Sequence, residues 1–259
     1  MACVPYKWLF FIFLERMKMI LKKAHLYLYQ GSVALFYFVL WPFLYYHSRK
    51  PERYAGMNVF RRIWGRLSSG TVGISYRYHY EKPIDWSRPY IIAPNHTSNL
   101  DITAMSLLVK NNFCFMGKQE LVDGLVTSLF FRTVDIPVNR ESKIASFKAF
   151  KQAMERLQQG MSVVIFPEAT IPESYPPQLH AFKNGPFRMA IELKIPIIPV
   201  TSVNTWQVLW DDGKKYGSKP GVCDIFVHEP VETAHLTIDD ADELRDRIFG
   251  IISNKLNSI

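Results

Sequence analysis

His96 and Asp101 stand five positions apart, and together they can do acid–base chemistry. An imidazole serves as a base near neutral pH, and a carboxylate can hold one ring nitrogen while the other stays free. Helix geometry sets a condition, because positions i and i+5 do not share a helical face. His96 must therefore precede a helix, with Asp101 reaching back from its first turns. The neighbouring sequence meets that condition. Tyr90-Ile91-Ile92-Ala93-Pro94 reads as a short buried strand, and residues 102–108 read as a helix. Between them Asn95, Thr97, Ser98 and Asn99 supply the residue types found at helix N-termini. The C-terminal end of a strand is where open α/β sheets keep their ligand-binding residues. Taken alone, such a pair is more often a capping histidine and a first-turn carboxylate favoured by the helix dipole. The rest of the chain has to decide.

Further charged residues fall at comparable places. Residues 113–118 read as a buried strand ending on Lys118, and residues 134–140 as another ending on Arg140. Residues 162–166 form a third, followed by Pro167, Glu168, Ala169 and Thr170. Lys183 precedes a helix that Pro186 opens, and residues 195–200 are a further short strand. Helical spacing is expected over residues 120–131, 142–159 and 239–256, and period-two tyrosines mark a strand up to Tyr80. Residues 206–220 read as an irregular excursion, before a late strand at residues 223–228. This alternation predicts an α/β fold, a mostly parallel sheet flanked by helices. Its strand-end loops can converge on one face. A base, two cations and a carboxylate suit group transfer to a hydroxyl on an anionic acceptor. His96 would take the hydroxyl proton and Asp101 would hold the ring, while Arg140 and Lys183 would grip a phosphate or carboxylate. Glu168 reads equally well as a structural hydrogen-bond acceptor.

Composition narrows the class. The 259 residues suffice for one sizeable core with an appendage. A net charge of +8 suggests a polyanionic partner or an acidic substrate. The chain carries no zinc-finger spacing or RNA-binding aromatic run, so a lipid surface is expected and nucleic acid is not. Cys3, Cys114 and Cys223 lie far apart and form neither a disulfide framework nor a metal-ligand spacing. The N-terminal region is expected to associate with a membrane. Residues 24–46 carry no Asp, Glu, Lys or Arg and would span roughly 35 Å as a helix. Trp41, Tyr45 and Tyr46 stand at its end as an aromatic belt, and Pro42 suggests a kink or break there. Basic residues flank both ends, so a hairpin with both ends on the cytoplasmic face competes with a single span. Its second arm would be residues 8–14 or the amphipathic residues 60–67. The expected division is an N-terminal membrane-associating helical segment, 1–69, and a catalytic αβ domain, 70–259.

Asn95-His96-Thr97-Ser98-Asn99-Leu100-Asp101 resembles the His-x4-Asp block of the glycerolipid acyltransferases, the family of the 1-acylglycerol-3-phosphate acyltransferases. Gly117-Lys118 through Asn139-Arg140 is similar to the family's second block. Phe166-Pro167-Glu168-Ala169-Thr170 resembles the third, and Ile197-Ile198-Pro199-Val200 the fourth. The blocks occur in the family's order over residues 90–200, and order is what separates such a match from coincidence. The resemblance implies a glycerolipid-acyltransferase-like αβ domain with N-terminal hydrophobic membrane helices. It also implies His96 as base with Asp101 behind it, and substrate binding by Lys118, Arg140, Glu168, Thr170 and Lys183. It implies no metal and no cofactor, an acyl-CoA or acyl-carrier protein as donor, and a lysolipid acceptor. The acceptor hydroxyl would attack the acyl thioester directly.

One block departs from the pattern. The family's third block reads Phe-Pro-Glu-Gly-Thr-Arg, and this chain has Ala169 for the glycine and Ile171 for the arginine. That arginine is associated with the acceptor phosphate, so a bidentate clamp is lost. The expected acceptor remains 1-acylglycerol-3-phosphate, giving phosphatidic acid. Alternatives are a phosphate-free lysolipid such as a lyso-aminolipid, and a non-catalytic membrane-binding relative. The absence of a Gly-x-Ser-x-Gly elbow argues against a serine esterase.

Overall fold

The computed structural model describes residues 6–258, with side chains described from residue 12 onward except at Lys143. Cys3 lies outside the described residues. Among the described residues seven strands form one sheet: β1 (Ile74–Tyr80), β2 (Ile91–Pro94), β3 (Phe113–Lys118), β4 (Ile136–Val138), β5 (Ser162–Ile165), β6 (Ile197–Ser202) and β7 (Gly221–Val227). Their order is β1-β7-β6-β2-β5-β3-β4. Every pair is parallel except β6–β7, so β2 to β6 point one way and the β1–β7 pair points back. The mostly parallel sheet expected from the sequence is therefore present. Strand periodicity carries no sign of direction, which is why the reversed pair was not readable.

The helices are α1 (Tyr6–Ser48), α2 (Tyr54–Gly70), α3 (Leu100–Leu108), α4 (Ser128–Phe131), α5 (Lys143–Gln158), α6 (Gly185–Leu193), α7 (Thr205–Val208) and α8 (Ala241–Asn257). The sheet is buried on both faces, and β2 shows how. Ile91 and Ala93 join a core with Ala153 and Leu157 of α5, Phe187 of α6 and Ile248 of α8. Ile92 points the other way, to Ala104, Met105 and Leu108 of α3. Both faces need apolar side chains, and so β2 and β5 read as continuous apolar runs. Ser142 caps α5 by accepting from the Ala145 N–H at 3.2 Å.

Two expected elements differ. The helix expected over 120–131 is broken into a 3-10 turn, Gln119–Asp123, and the one-turn α4. Gly124 between them is extended, with ψ at 139°, and a Cβ there would meet the Thr127 hydroxyl at 2.3 Å. That hydroxyl donates instead to the Leu121 carbonyl at 2.6 Å, which closes the break. Second, α1 runs unbroken through Pro42 to Ser48, and residues 8–14 and 24–46 belong to this one helix. Residues 8–14 therefore cannot be the second arm of a hairpin. α2, which includes residues 60–67, turns back through a 3-10 turn at Pro51–Arg53 and packs on α1: the Trp64 indole donates to the Val33 carbonyl at 2.9 Å, and Phe60 stacks on Phe43.

α2 is also fixed to the sheet. Arg61 donates to buried Asp135 at 2.8 Å while its guanidinium lies 4.2 Å from the Phe130 ring centroid. Asn58 reaches the Phe113 carbonyl at 2.6 Å. The outer side of α1 stays bare, with Phe13, Ile20, Leu21, Leu28, Phe38 and Phe43 exposed. Ile12–Ser48 is long and apolar enough to cross a membrane.

Candidate active site

Because β2 to β6 are mutually parallel, the segments after them emerge at one end of the sheet. His96 follows β2, Lys118 ends β3, Arg140 follows β4, Glu168 follows β5 and Thr205 follows β6. The central strand thus delivers the histidine, and its neighbours deliver the groups around it.

His96 precedes α3 and Asp101 lies in its first turn, as the spacing required. The His96 Nδ1 is 3.1 Å from Asp101 Oδ2. That oxygen also accepts the Thr97 N–H at 2.8 Å and the Ser98 N–H at 2.9 Å, while Oδ1 accepts the Thr205 hydroxyl at 2.8 Å. The carboxylate is fully buried and surrounded by donors. Nδ1 must therefore carry the proton it donates, which leaves Nε2 with a free lone pair. The Phe166 ring, stacked at 4.0 Å between centroids, fixes the imidazole plane. Asn95 ties the same loop to β6, donating to the Ser202 carbonyl at 3.1 Å and accepting the Ser202 N–H at 2.7 Å.

Glu168 bridges two loops. Its Oε1 accepts the His96 N–H at 2.7 Å and its Oε2 the His180 N–H at 2.8 Å. It is buried, and burial pushes its carboxyl up to about 7, with the Asp101 charge adding to the rise and the two N–H bonds opposing it. The structural-acceptor reading left open by the sequence therefore describes its contacts. Arg140 is exposed and donates to the Ala169 carbonyl, so the second and third blocks meet directly. Lys118, Thr170 and Lys183 are exposed. Lys183 is joined to the site by its backbone N–H, which donates to the Pro167 carbonyl at 2.8 Å, and its ammonium makes no hydrogen bond among the described residues. Among the described residues the Thr170 hydroxyl bonds only its neighbouring Ile171 carbonyl, at 3.4 Å. Ala169 has φ at 64°, a left-handed conformation that glycine adopts without strain. Ile171 is half-buried and offers no donor where an arginine was expected.

Sequence reasoning missed the part played by residues 205–216. The Asp211 N–H donates to the Thr97 carbonyl at 3.2 Å, and its carbonyl accepts from Asn99 at 3.0 Å. The segment read as an excursion is thus laced to the histidine loop. Asp211 is itself left-handed, with φ at 51°. Burial raises its carboxyl, with Asp212 adding to the rise, while His96 and Lys118 lie near enough to oppose it. Residues 206–220 read as an excursion in the sequence, where nothing local named its partner. Among the described residues no group of three metal-ligating side chains occurs.

The profile of the Acyltransferase family matches residues 75–203, which hold all four blocks and the whole histidine–aspartate loop. The chain belongs to the acyltransferase family. Among sequence relatives, the chain is 27% identical over 164 residues to 1-acyl-sn-glycerol-3-phosphate acyltransferase alpha of Mus musculus, covering 62% of this chain and 56% of that one. It is 28% identical over 168 residues to the 1-acyl-sn-glycerol-3-phosphate acyltransferase of Haemophilus influenzae, covering 62% and 66%. The uncharacterized acyltransferase C1851.02 of Schizosaccharomyces pombe is 25% identical over 206 residues, covering 79% and 73%. The chain therefore spans just over half the length of the mouse relative. The crystal structure of the 1-acyl-sn-glycerophosphate (LPA) acyltransferase PlsC from Thermotoga maritima superposes with a TM-score of 0.76 at 18% identity, covering 94% of this chain and 96% of that one. It shares the fold over nearly the whole of both chains.

Proposed function

We propose that the protein is a membrane-bound O-acyltransferase that moves a fatty acyl group from a thioester donor, acyl-CoA or acyl-carrier protein, to the hydroxyl of a 1-acylglycerol-3-phosphate unit. The observation that carries this reading is His96, held at Nδ1 by a buried carboxylate and open at Nε2. In the reaction Nε2 removes the proton from the acceptor hydroxyl as its oxygen attacks the thioester carbonyl carbon. A C–O bond forms, the carbonyl electrons move to oxygen, and Asp101 stabilises the imidazolium. Collapse of the tetrahedral intermediate breaks the C–S bond, and the imidazolium returns its proton to the leaving thiolate. No acyl-enzyme is needed, because the histidine only shuttles a proton. Arg140 and Lys118, at the ends of adjacent parallel strands, supply the positive charge for the phosphate. Glu168 positions the histidine loop through the His96 N–H. Thr170 and Lys183 lie at the outer edge, where a bound acceptor or donor would reach them.

The bare apolar side of α1 supports attachment to a bilayer. The cytoplasmic face is the proposed side for the αβ portion. The test is transfer of a labelled acyl chain from acyl-CoA to a panel of lysolipids with and without phosphate. Transfer to phosphate-bearing acceptors is expected, with loss of at least about 1,000-fold in His96→Ala. Transfer only to phosphate-free acceptors would make Ile171 the specificity-setting position and replace the acceptor assignment. Vesicle binding without turnover in the unmutated protein would favour a non-catalytic relative.

A further inference from the structure

Beside the histidine loop, two segments bring four aromatic rings together. Tyr175, in the loop after the third block, packs against Trp206, Trp210 and Tyr216 at 5.4, 5.8 and 4.2 Å between centroids. Trp210 and Tyr216 are 5.5 Å apart. The cluster borders the site on both sides. Trp206 and Glu168 line one small cavity with Thr97, and Trp210 is joined to Asp211, which is hydrogen-bonded to the histidine loop.

Three features of the cluster are unexplained by packing. First, the rings already hold an ammonium group. The Lys215 Nζ stands 5.5 Å from the Trp210 centroid and 5.2 Å from that of Tyr216, although Lys215 is an exposed residue free to swing away. Aromatic faces within about 6 Å attract cations, and clusters of them take quaternary ammonium ligands. Second, Trp210 is 8% exposed, and its indole N–H has no partner among the described residues. A buried donor left unpaired costs free energy unless a water or a ligand oxygen meets it, so Trp210 can serve a ligand oxygen at this place. Third, charge at the site is shifted toward the negative. Ile171 stands where the family pattern has a cation, and Asp211 adds a carboxylate at the edge of the histidine loop.

A phosphomonoester carries nearly two negative charges at neutral pH. A phosphodiester bearing an ammonium alcohol carries one negative charge and one positive. An isoleucine in place of the third block's arginine, the carboxylate of Asp211, an aromatic cluster and an unpaired buried N–H donor fit the second better than the first. We propose that the cluster of Tyr175, Trp206, Trp210 and Tyr216, with Asp211, is a subsite for an ammonium group carried on the acceptor's phosphate, so that zwitterionic lysophospholipids are the preferred acceptors. The ammonium displaces Lys215 from the ring faces, and a phosphate oxygen takes the Trp210 N–H. This assignment rests on the proposed acyl-transfer function and narrows its acceptor.

The test compares acyl transfer by the full chain in detergent–lipid micelles to 1-acylglycerol-3-phosphate and to its phosphoethanolamine and phosphocholine counterparts. Asp211→Asn tests the carboxylate, since asparagine tolerates the left-handed backbone. A preference for the zwitterionic acceptors of about 10-fold in kcat/KM is expected, shrinking about 5-fold in Asp211→Asn and in Trp210→Phe. A preference for the phosphomonoester, or a preference that neither variant moves, overturns the subsite. A second readout separates this from failure of the acyl-transfer reading. Glycerophosphocholine is titrated against the tryptophan fluorescence of His96→Ala, with glycerol 3-phosphate as control. Saturable quenching by glycerophosphocholine that disappears in the Trp210→Phe background supports the subsite whether or not the unmutated chain transfers acyl groups. Equal response to both compounds overturns it.

Discussion

Replacing Glu168 by glutamine should remove a pH dependence of stability that this one residue creates. The carboxyl is raised from 4.5 to about 7, chiefly by burial. The folded chain thus holds this proton more tightly than the unfolded chain does. The resulting stabilisation is complete below about pH 4.5 and is lost as pH rises through about 7. At about 1.4 kcal/mol for each tenfold change in proton affinity, the whole loss is about 3.4 kcal/mol, of which about 2.5 kcal/mol falls between pH 5 and pH 8. Glutamine does not titrate, so Glu168→Gln should lack this loss.

The substitution also has a fixed cost. The His96 and His180 N–H groups both point at the side chain, and an amide offers one acceptor oxygen and one donor nitrogen in place of two oxygens. That cost, about 1–3 kcal/mol, is independent of pH and cancels when the variant is compared with itself across pH. Thermal unfolding of both proteins in the same detergent, at pH 5, 6, 7 and 8, isolates the titration. Tm of the variant minus that of the unmutated protein should rise by about 5–10 °C from pH 5 to pH 8. A constant difference across that range would refute the reasoning, because it would mean that the buried carboxyl titrates as it does in water.

Three other substitutions test separate parts of the site and its frame. Ala169→Gly relieves the left-handed alanine at φ 64°; after the entropy glycine adds to the unfolded chain, a gain of about 0.5–1 kcal/mol remains, read as a Tm rise of about 2–3 °C. Ile171→Arg restores a bidentate phosphate donor and should lower KM for 1-acylglycerol-3-phosphate about 10-fold, with a smaller effect on acceptors whose phosphate is a diester; steady-state kinetics on both acceptors check this. Arg61→Ala leaves Asp135 buried without its cation, where desolvation already raises the carboxyl against the pull of Arg61, and should cost about 3–5 kcal/mol in chemical unfolding.

The residues that fold locally were the legible ones. Strands β2, β3 and β5 and helices α3, α5 and α8 follow from apolar runs and helical spacing. The His96–Asp101 pairing was legible because helix geometry permits only one arrangement for that spacing. What stayed hidden depends on partners distant in sequence. Residues 120–131 read as one helix, and the Thr127 hydroxyl that closes the break at Gly124 appears only once the chain is folded. Pro42 read as a break, yet α1 continues through it, because proline forbids one hydrogen bond and not the packing against α2 that holds the helix.

The same division explains the third block. The exchange of its glycine for Ala169 was plain in the sequence, but its consequence required a dihedral angle. At φ 64° the alanine keeps the turn the glycine would make, and its carbonyl still receives Arg140. The exchange of the arginine for Ile171 has no such repair: isoleucine offers no donor, and the residue whose backbone is laced to the histidine loop, Asp211, carries a carboxylate. A site that had only decayed would be expected to lose its base as readily as its phosphate clamp. Here Asp101 keeps four donors and His96 keeps its orientation. On the proposed acyl-transfer reading, Ile171 lies on the side that would meet the acceptor's headgroup, so the exchange would alter specificity with the base retained.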